Sequence, residues 1–135
     1  MTYTNAQFRS ILNGHGFTYV SEPDSNFPIS NNEKPLVDQL TVDAIKDFQA
    51  YFKLKVDGIA GAITMAKAEQ AMHILQDNLN LVIKAKIPAN QPFYGPKTVA
   101  AVKEFERRHG YHVNGVASLA MRQQLNDMAR LVLAK

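Results

Sequence analysis

The sequence predicts an all-α protein made of two fused three-helix repeats that share a long connecting helix. Three observations lead there. Residues 41–60 reappear as residues 98–117 at a constant offset of 57. Apolar residues in both copies recur at helical spacing. Nothing between residues 61 and 87 breaks a helix, so one helix is expected to run out of the first copy into the second.

The repeat is the strongest of the three. Over its twenty aligned positions, eight of the first copy's residues recur unchanged: Thr41, Val42, Ala44, Lys46, Phe48, Val56, Gly58 and Ala60. Several other pairs, such as Ile45 with Val102 and Asp57 with Asn114, are conservative. Self-similarity of this kind at a fixed period marks a duplication, with residues 1–70 as the first unit and 71–135 as the second.

The elements follow in order. Thr4-Asn5-Ala6-Gln7 has capping-box spacing, then Phe8, Ile11 and Leu12 mark one helix face, which ends near Gly14 or Gly16. Residues 21–35 hold Pro23, Pro28 and Pro35 without any hydrophobic period, so they form a loop inside the first unit. Val42, Ile45, Phe48 and Phe52 share one face of the next helix. Val56-Asp57-Gly58 is a turn, because glycine supplies positive φ and the aspartate bonds the local backbone. The connecting helix starts at Gly61 and passes through Met65 and Ala68, then Met72, Leu75, Leu79, Val82 and Ile83. A second loop, residues 86–96, leads to Gly95-Pro96, where proline is tolerated in the first helical turn. Val99, Val102 and Phe105 repeat the phase of the first copy, Asn114-Gly115 repeats its turn, and Ser118 opens a last helix through Met121, Leu125 and Met128.

Composition narrows the function classes. Hydrophobic residues at 46% and charged residues at 20% are globular proportions, and no apolar run approaches bilayer-spanning length, so membrane insertion is not expected. The net charge of +3 suits an anionic surface or a nucleic acid without selecting either. Lys97, Lys103, Arg107 and Arg108 supply charge but no nucleic-acid motif and no stacking platform, so a nucleic-acid partner is not expected. The absence of cysteine excludes disulfides, thiolate metal sites and cysteine nucleophiles. His109 and His112 are separated by Gly110, and neither they nor His15 and His73 stand at metal-ligand spacing from a carboxylate. No metal or cofactor is expected. Nucleophile elbows, zinc-protease helices and phosphate-binding loops are all missing, and Asp43 with Asp47 reads as a solvated helix edge, so the chain reads as a non-enzyme. The first residues show no basic and apolar leader, which leaves a cytoplasmic location, a removed leader and another export route all open.

At the level of motifs, the chain resembles the peptidoglycan-binding domain family. The first copy offers Ala44-Ile45-Lys46-Asp47-Phe48-Gln49 and Leu54-Lys55-Val56-Asp57-Gly58-Ile59-Ala60-Gly61. The second offers Ala101-Val102-Lys103-Glu104-Phe105-Glu106 and Val113-Asn114-Gly115-Val116, preceded by Tyr94-Gly95-Pro96-Lys97-Thr98. The family's leucine–glutamine pair is matched by Leu75-Gln76. In the second copy Glu106, Asn114 and Ser118 replace the family's glutamine, aspartate and glycine.

The resemblance implies a non-catalytic module that binds the stem peptide or glycan of the cell wall and targets itself or a partner there. A wall hydrolase or a secretion or phage component would be such a partner, and the cell envelope its place if exported. The alternative is a protein–protein adaptor on the same fold. Candidate ligand residues are Gln49, Asp57 and Gly58 of the first turn, Asn114 of the second, and Tyr51, Tyr94 and Tyr111 beside the loops, since a phenol stacks on a sugar or peptide with its hydroxyl still wet. Packing and turn-capping are the competing roles for each of them. The first copy is expected to carry more of the binding, and Gln49→Glu with Asp57→Asn to weaken it.

Overall fold

In a computed structural model, which describes residues 2–135, the chain folds into five helices: α1 (Asn5–Gly14), α2 (Gln39–Tyr51), α3 (Ala62–Ile83), α4 (Pro96–His109) and α5 (Leu119–Leu133). No strand occurs among the described residues. The 22 residues of α3 make a rod of about 33 Å at 1.5 Å per residue, and it runs unbroken through position 70. Its first half closes the first repeat, and its second half opens the next one. Phe48 and Phe105 are buried at equivalent positions of α2 and α4. Both lie in one continuous apolar cluster that also takes in Phe8, Ile11, Met72, Leu79, Met121 and Leu125. The two repeats therefore share a core.

Helix ends follow local chemistry. Thr4 caps α1 with a reciprocal box to Gln7. Asp38 caps α2 by accepting from the Thr41 N–H and hydroxyl at 3.2 and 2.8 Å. Ser118 accepts the Met121 N–H at the start of α5. The connecting helix stops at Ile83, earlier than the sequence pattern suggests, because the Asn80 side chain captures the next segment. Its Oδ1 accepts the Ile87 N–H at 2.7 Å and its Nδ2 donates to the Ile87 carbonyl at 3.0 Å, with Lys84 left-handed between them.

The loop over residues 21–35 is held down by Arg9, which is buried on α1. Its guanidinium donates to the carbonyls of Asn32 (2.9 Å), Lys34 (2.6 Å) and Pro35 (3.0 Å) and to Asp38 Oδ1 (2.8 Å). In the second repeat Gln76 does the same work, donating to the carbonyls of Gln91 and Phe93 and to Thr98 Oγ1 at 2.8, 3.3 and 3.1 Å. Phe8-Arg9 is thus the first repeat's version of Leu75-Gln76. The longer loop needs the longer side chain with more donors.

Contacts across the repeats weld them further. Gly14, the last residue of α1, lies against the Tyr94 ring, where a Cβ would stand 2.3 Å from Tyr94 Cε2. Its carbonyl accepts the Ala117 N–H at 2.7 Å. Arg122 of α5 donates to the His15 carbonyl at 3.2 Å.

Candidate functional site

Each repeat motif folds around a buried polar side chain. In the first, Gln49 is 1% exposed. Its Oε1 accepts the backbone N–H groups of Asp57 and Gly58 at 3.0 and 2.9 Å. Its Nε2 donates to Asp57 Oδ1, the Ile59 carbonyl and Thr64 Oγ1 at 2.9, 3.1 and 3.1 Å. Asp57 Oδ1 accepts the Ile59 N–H in turn, and that bond, followed by the one from Gln49, holds its carboxyl below the usual range. Gly58 turns the chain at φ +73°.

The second motif repeats the geometry with the amide and acid exchanged. Glu106 is 3% exposed, and its Oε1 accepts the N–H groups of Asn114 and Gly115 at 3.1 and 2.8 Å. Asn114 Oδ1 accepts the Val116 N–H at 2.9 Å. A carboxylate has no hydrogen to give the Val116 carbonyl, and Met121 stands where the first repeat has Thr64. Desolvation accordingly pushes the Glu106 carboxyl up.

These geometries move several candidate residues from the surface to the interior. Gln49 is closed off from solvent with both its ends occupied, and Gly58 is buried beneath Val42 and Lys46. Tyr94 is a core residue: its hydroxyl donates to the Gly115 carbonyl at 2.6 Å and accepts the Ala117 N–H at 3.2 Å. Their polar atoms are bonded within the fold. Asp57 and Asn114 stay exposed at their turns. Tyr111 is half-buried, stacked near Phe105 and bonded to the Gln124 side chain. Tyr51 is 45% exposed and lies over the Arg122 guanidinium, 5.5 Å from its ring centroid.

Tyr51 marks a cleft between the repeats. Phe52 at the end of α2, Ile74 in α3 and Leu119 and Leu125 in α5 give it apolar sides, and Arg122 and His15 also line it, around a volume of about 150 Å³. The His15 imidazole is buried, and its Nδ1 stands 2.9 Å from the Ile11 carbonyl. A carbonyl only accepts, so Nδ1 carries the proton and Nε2 is the acceptor. Nε2 has no hydrogen-bond partner among the described residues. Burial first, and the Arg122 charge second, lower the His15 pKa to about 4, so the ring is neutral near pH 7. Among the described residues Arg122 is then the single charged one lining the cleft. The sequence alone did not single out Arg122, and it weighed His15 only as a metal ligand. One signal was present: Arg122 aligns with Met65 at the repeat offset, a charge where the duplicate is apolar.

A larger dish of about 420 Å³ lies under the 21–35 loop beside Arg9, whose guanidinium is already filled by the acceptors described above. Among the described residues no group of three or more His, Asp or Glu side chains is placed to hold a metal ion. No helix among them is long and apolar enough to cross a membrane.

Comparison with known proteins agrees with the repeat. The family model described as a putative peptidoglycan binding domain matches twice, over residues 6–67 and 69–125. No curated protein and no solved structure gives a match. With nearly its whole length covered by two successive matches and each match carrying one buried Gln or Glu motif, the chain belongs to the peptidoglycan-binding domain family, in two tandem copies.

Proposed function

We propose that the protein is a non-catalytic peptidoglycan-binding module that places itself, or a partner fused or bound to it, on the cell wall. The carrying observation is the double family match on one shared core, with an uncompensated arginine in the cleft where the copies meet. The motif carboxylates support the non-catalytic half of the reading. Glu106 spends its buried oxygen on two backbone N–H groups, and Asp57 is tied to its own turn. The units 1–70 and 71–135 would act together, since α3 belongs to both, and the cell envelope is where such a ligand lies.

Cosedimentation with purified insoluble peptidoglycan tests this. The protein is expected in the pellet, with no soluble fragments or reducing ends released. A protein left in the supernatant at low salt overturns the wall reading; turnover that survives repurification overturns the non-catalytic one.

An adaptor role is the second reading, favoured by one surface. Val56, Ile59 and Ile63 are exposed together at the turn into α3, with Ile63 at 76%, an apolar set of the kind that protein contacts cover.

A further inference from the structure

Of the five arginines, Arg9, Arg107, Arg108 and Arg130 each reach a carboxylate within 3.2 Å, whereas Arg122 has none within ion-pair distance among the described residues. It is nonetheless half-buried. Its Nε donates to the Ala117 carbonyl at 2.9 Å and its Nη2 to the His15 carbonyl at 3.2 Å, while Phe17 and Tyr51 lie against its plane at 5.9 and 5.5 Å. Neutral carbonyls and ring faces fix the guanidinium in place without neutralising it. A cation held partly out of water without a counter-ion is a preorganised anion site.

We propose that the inter-repeat cleft binds the C-terminal carboxylate of a short peptide with small apolar side chains, the free end of a wall stem peptide, through Arg122. Size and lining select this class. At about 150 Å³ the cleft is smaller than the roughly 300–1,000 Å³ of pockets that enclose whole drug-sized ligands, so it takes one residue-sized group and not a sugar chain. Ile74, Leu119 and Leu125 offer methyl-sized apolar contact, and a sugar ring would leave its hydroxyls unpaired against them. A phosphate would meet one cation only. His15 lines the cleft, and its buried Nε2 has no hydrogen-bond partner among the described residues, which leaves it to accept the peptide N–H beside the carboxylate. The identity of the peptide as a stem peptide rests on the wall-binding reading; the carboxylate chemistry of the cleft does not.

The test is an NMR titration of the ¹⁵N-labelled full chain with N-acetyl-D-alanyl-D-alanine, its C-terminal carboxamide, the L,L acid and N-acetylglucosamine. The D,D acid is expected to shift the Arg122 Nε signal and the amides of Tyr51, Ile74 and Leu119 to saturation, with the carboxamide at least tenfold weaker and the sugar silent. R122Q should weaken the acid at least tenfold. Because Arg122 also joins the repeats, Ile74→Glu serves as a second variant: it sets a negative charge at the exposed rim and should weaken the acid with little change in Tm. Equal binding of acid and carboxamide, shifts that map outside the cleft, or no shift at tens of millimolar overturns the proposal. Preference for the L,L acid overturns the stem-peptide source and points to a protein tail. Wall cosedimentation of the same proteins separates the two readings. If the parent and Ile74→Glu pellet equally, the cleft assignment fails and wall binding stands. If the D,D acid fills the cleft but the parent stays in the supernatant, wall binding fails and the carboxylate site stands.

Discussion

Gln49 and Asp57 bond in both directions: the Asp57 N–H donates to Gln49 Oε1 at 3.0 Å while Gln49 Nε2 donates to the Asp57 carboxylate at 2.9 Å. In the second repeat Glu106 and Asn114 occupy these places. Each turn therefore contains one acid and one amide, with the acid moved from the loop onto the helix. Two carboxylates at this distance would repel, and each would lack the donor that the other needs.

A double-mutant cycle follows from that exchange. Gln49→Glu alone places a second carboxylate against Asp57 and removes the donations to Ile59 and Thr64, so it should cost about 2–4 kcal/mol at neutral pH in urea unfolding. Adding Asp57→Asn recreates the second repeat's pairing and should recover at least about 1 kcal/mol. Strict additivity would refute the coupling. Because Gln49 is closed to solvent, the double variant should cosediment with wall material like the parent, in contrast to the expectation from sequence that this pair of changes weakens binding.

Glu106→Gln should stabilise the protein. The new amide nitrogen can donate to the Val116 carbonyl as Gln49 donates to Ile59, a gain of about 1 kcal/mol at neutral pH. The sign with pH is set by desolvation, which raises the folded carboxyl above 4.5. Below that value both states are protonated and the native acid carries no charge penalty. The penalty grows as pH rises through the folded pKa, so the variant's advantage should be larger near neutrality than in acid. An advantage that is constant across pH would mean that Glu106 is not a desolvated acid.

Much of the fold was legible because the offset of 57 aligns both turns, both motif helices and their buried phenylalanines. The offset fails where loop length differs. Arg9 and Gln76 are 67 positions apart, since the first repeat's loop is ten residues longer, and their shared task shows only in their acceptors. The helix stop at Ile83 depended on an Asn80 side chain whose pattern is ordinary within a helix. The site was less legible for a physical reason. Phenols suit both surfaces and cores, and Tyr94 is interior only because Gly14 leaves room for its ring. Arg122 and His15 meet across 107 residues, which no local motif encodes.

Acid should destabilise the protein through His15. Its folded pKa of about 4 lies below the ordinary 6.5, so the unfolded chain binds the proton first as pH falls through that window. Stability attributable to the neutral ring is therefore complete above the unfolded value and is lost progressively toward the folded one, by about 3 kcal/mol in all. Glu106 acts in the opposite sense over part of the window, which makes the comparison with His15→Phe the informative one. Ile11 keeps the backbone donor of residue 15 at 3.0 Å in that variant. Urea unfolding should show a flatter pH dependence for His15→Phe than for the parent, and parallel curves would place the acid sensitivity elsewhere.

Two glycines separate close packing from backbone freedom. Gly110 ends α4 at φ +76° with nothing within 4 Å of an added Cβ, so Gly110→Ala meets only the left-handed penalty, about 1 kcal/mol. Gly14 is helical, and its Cβ would fall 2.3 Å from a Tyr94 ring atom. That ring cannot swing aside cheaply, because its hydroxyl is bonded to the Gly115 carbonyl and the Ala117 N–H. Moving α1 instead would stretch the 2.7 Å bond from Ala117 to the Gly14 carbonyl. Gly14→Ala should therefore cost about 2–4 kcal/mol, as an overpacked junction between the repeats. Urea midpoints decide between the two effects: a Gly110→Ala variant less stable than Gly14→Ala would show that the repeats are not locked together through Tyr94.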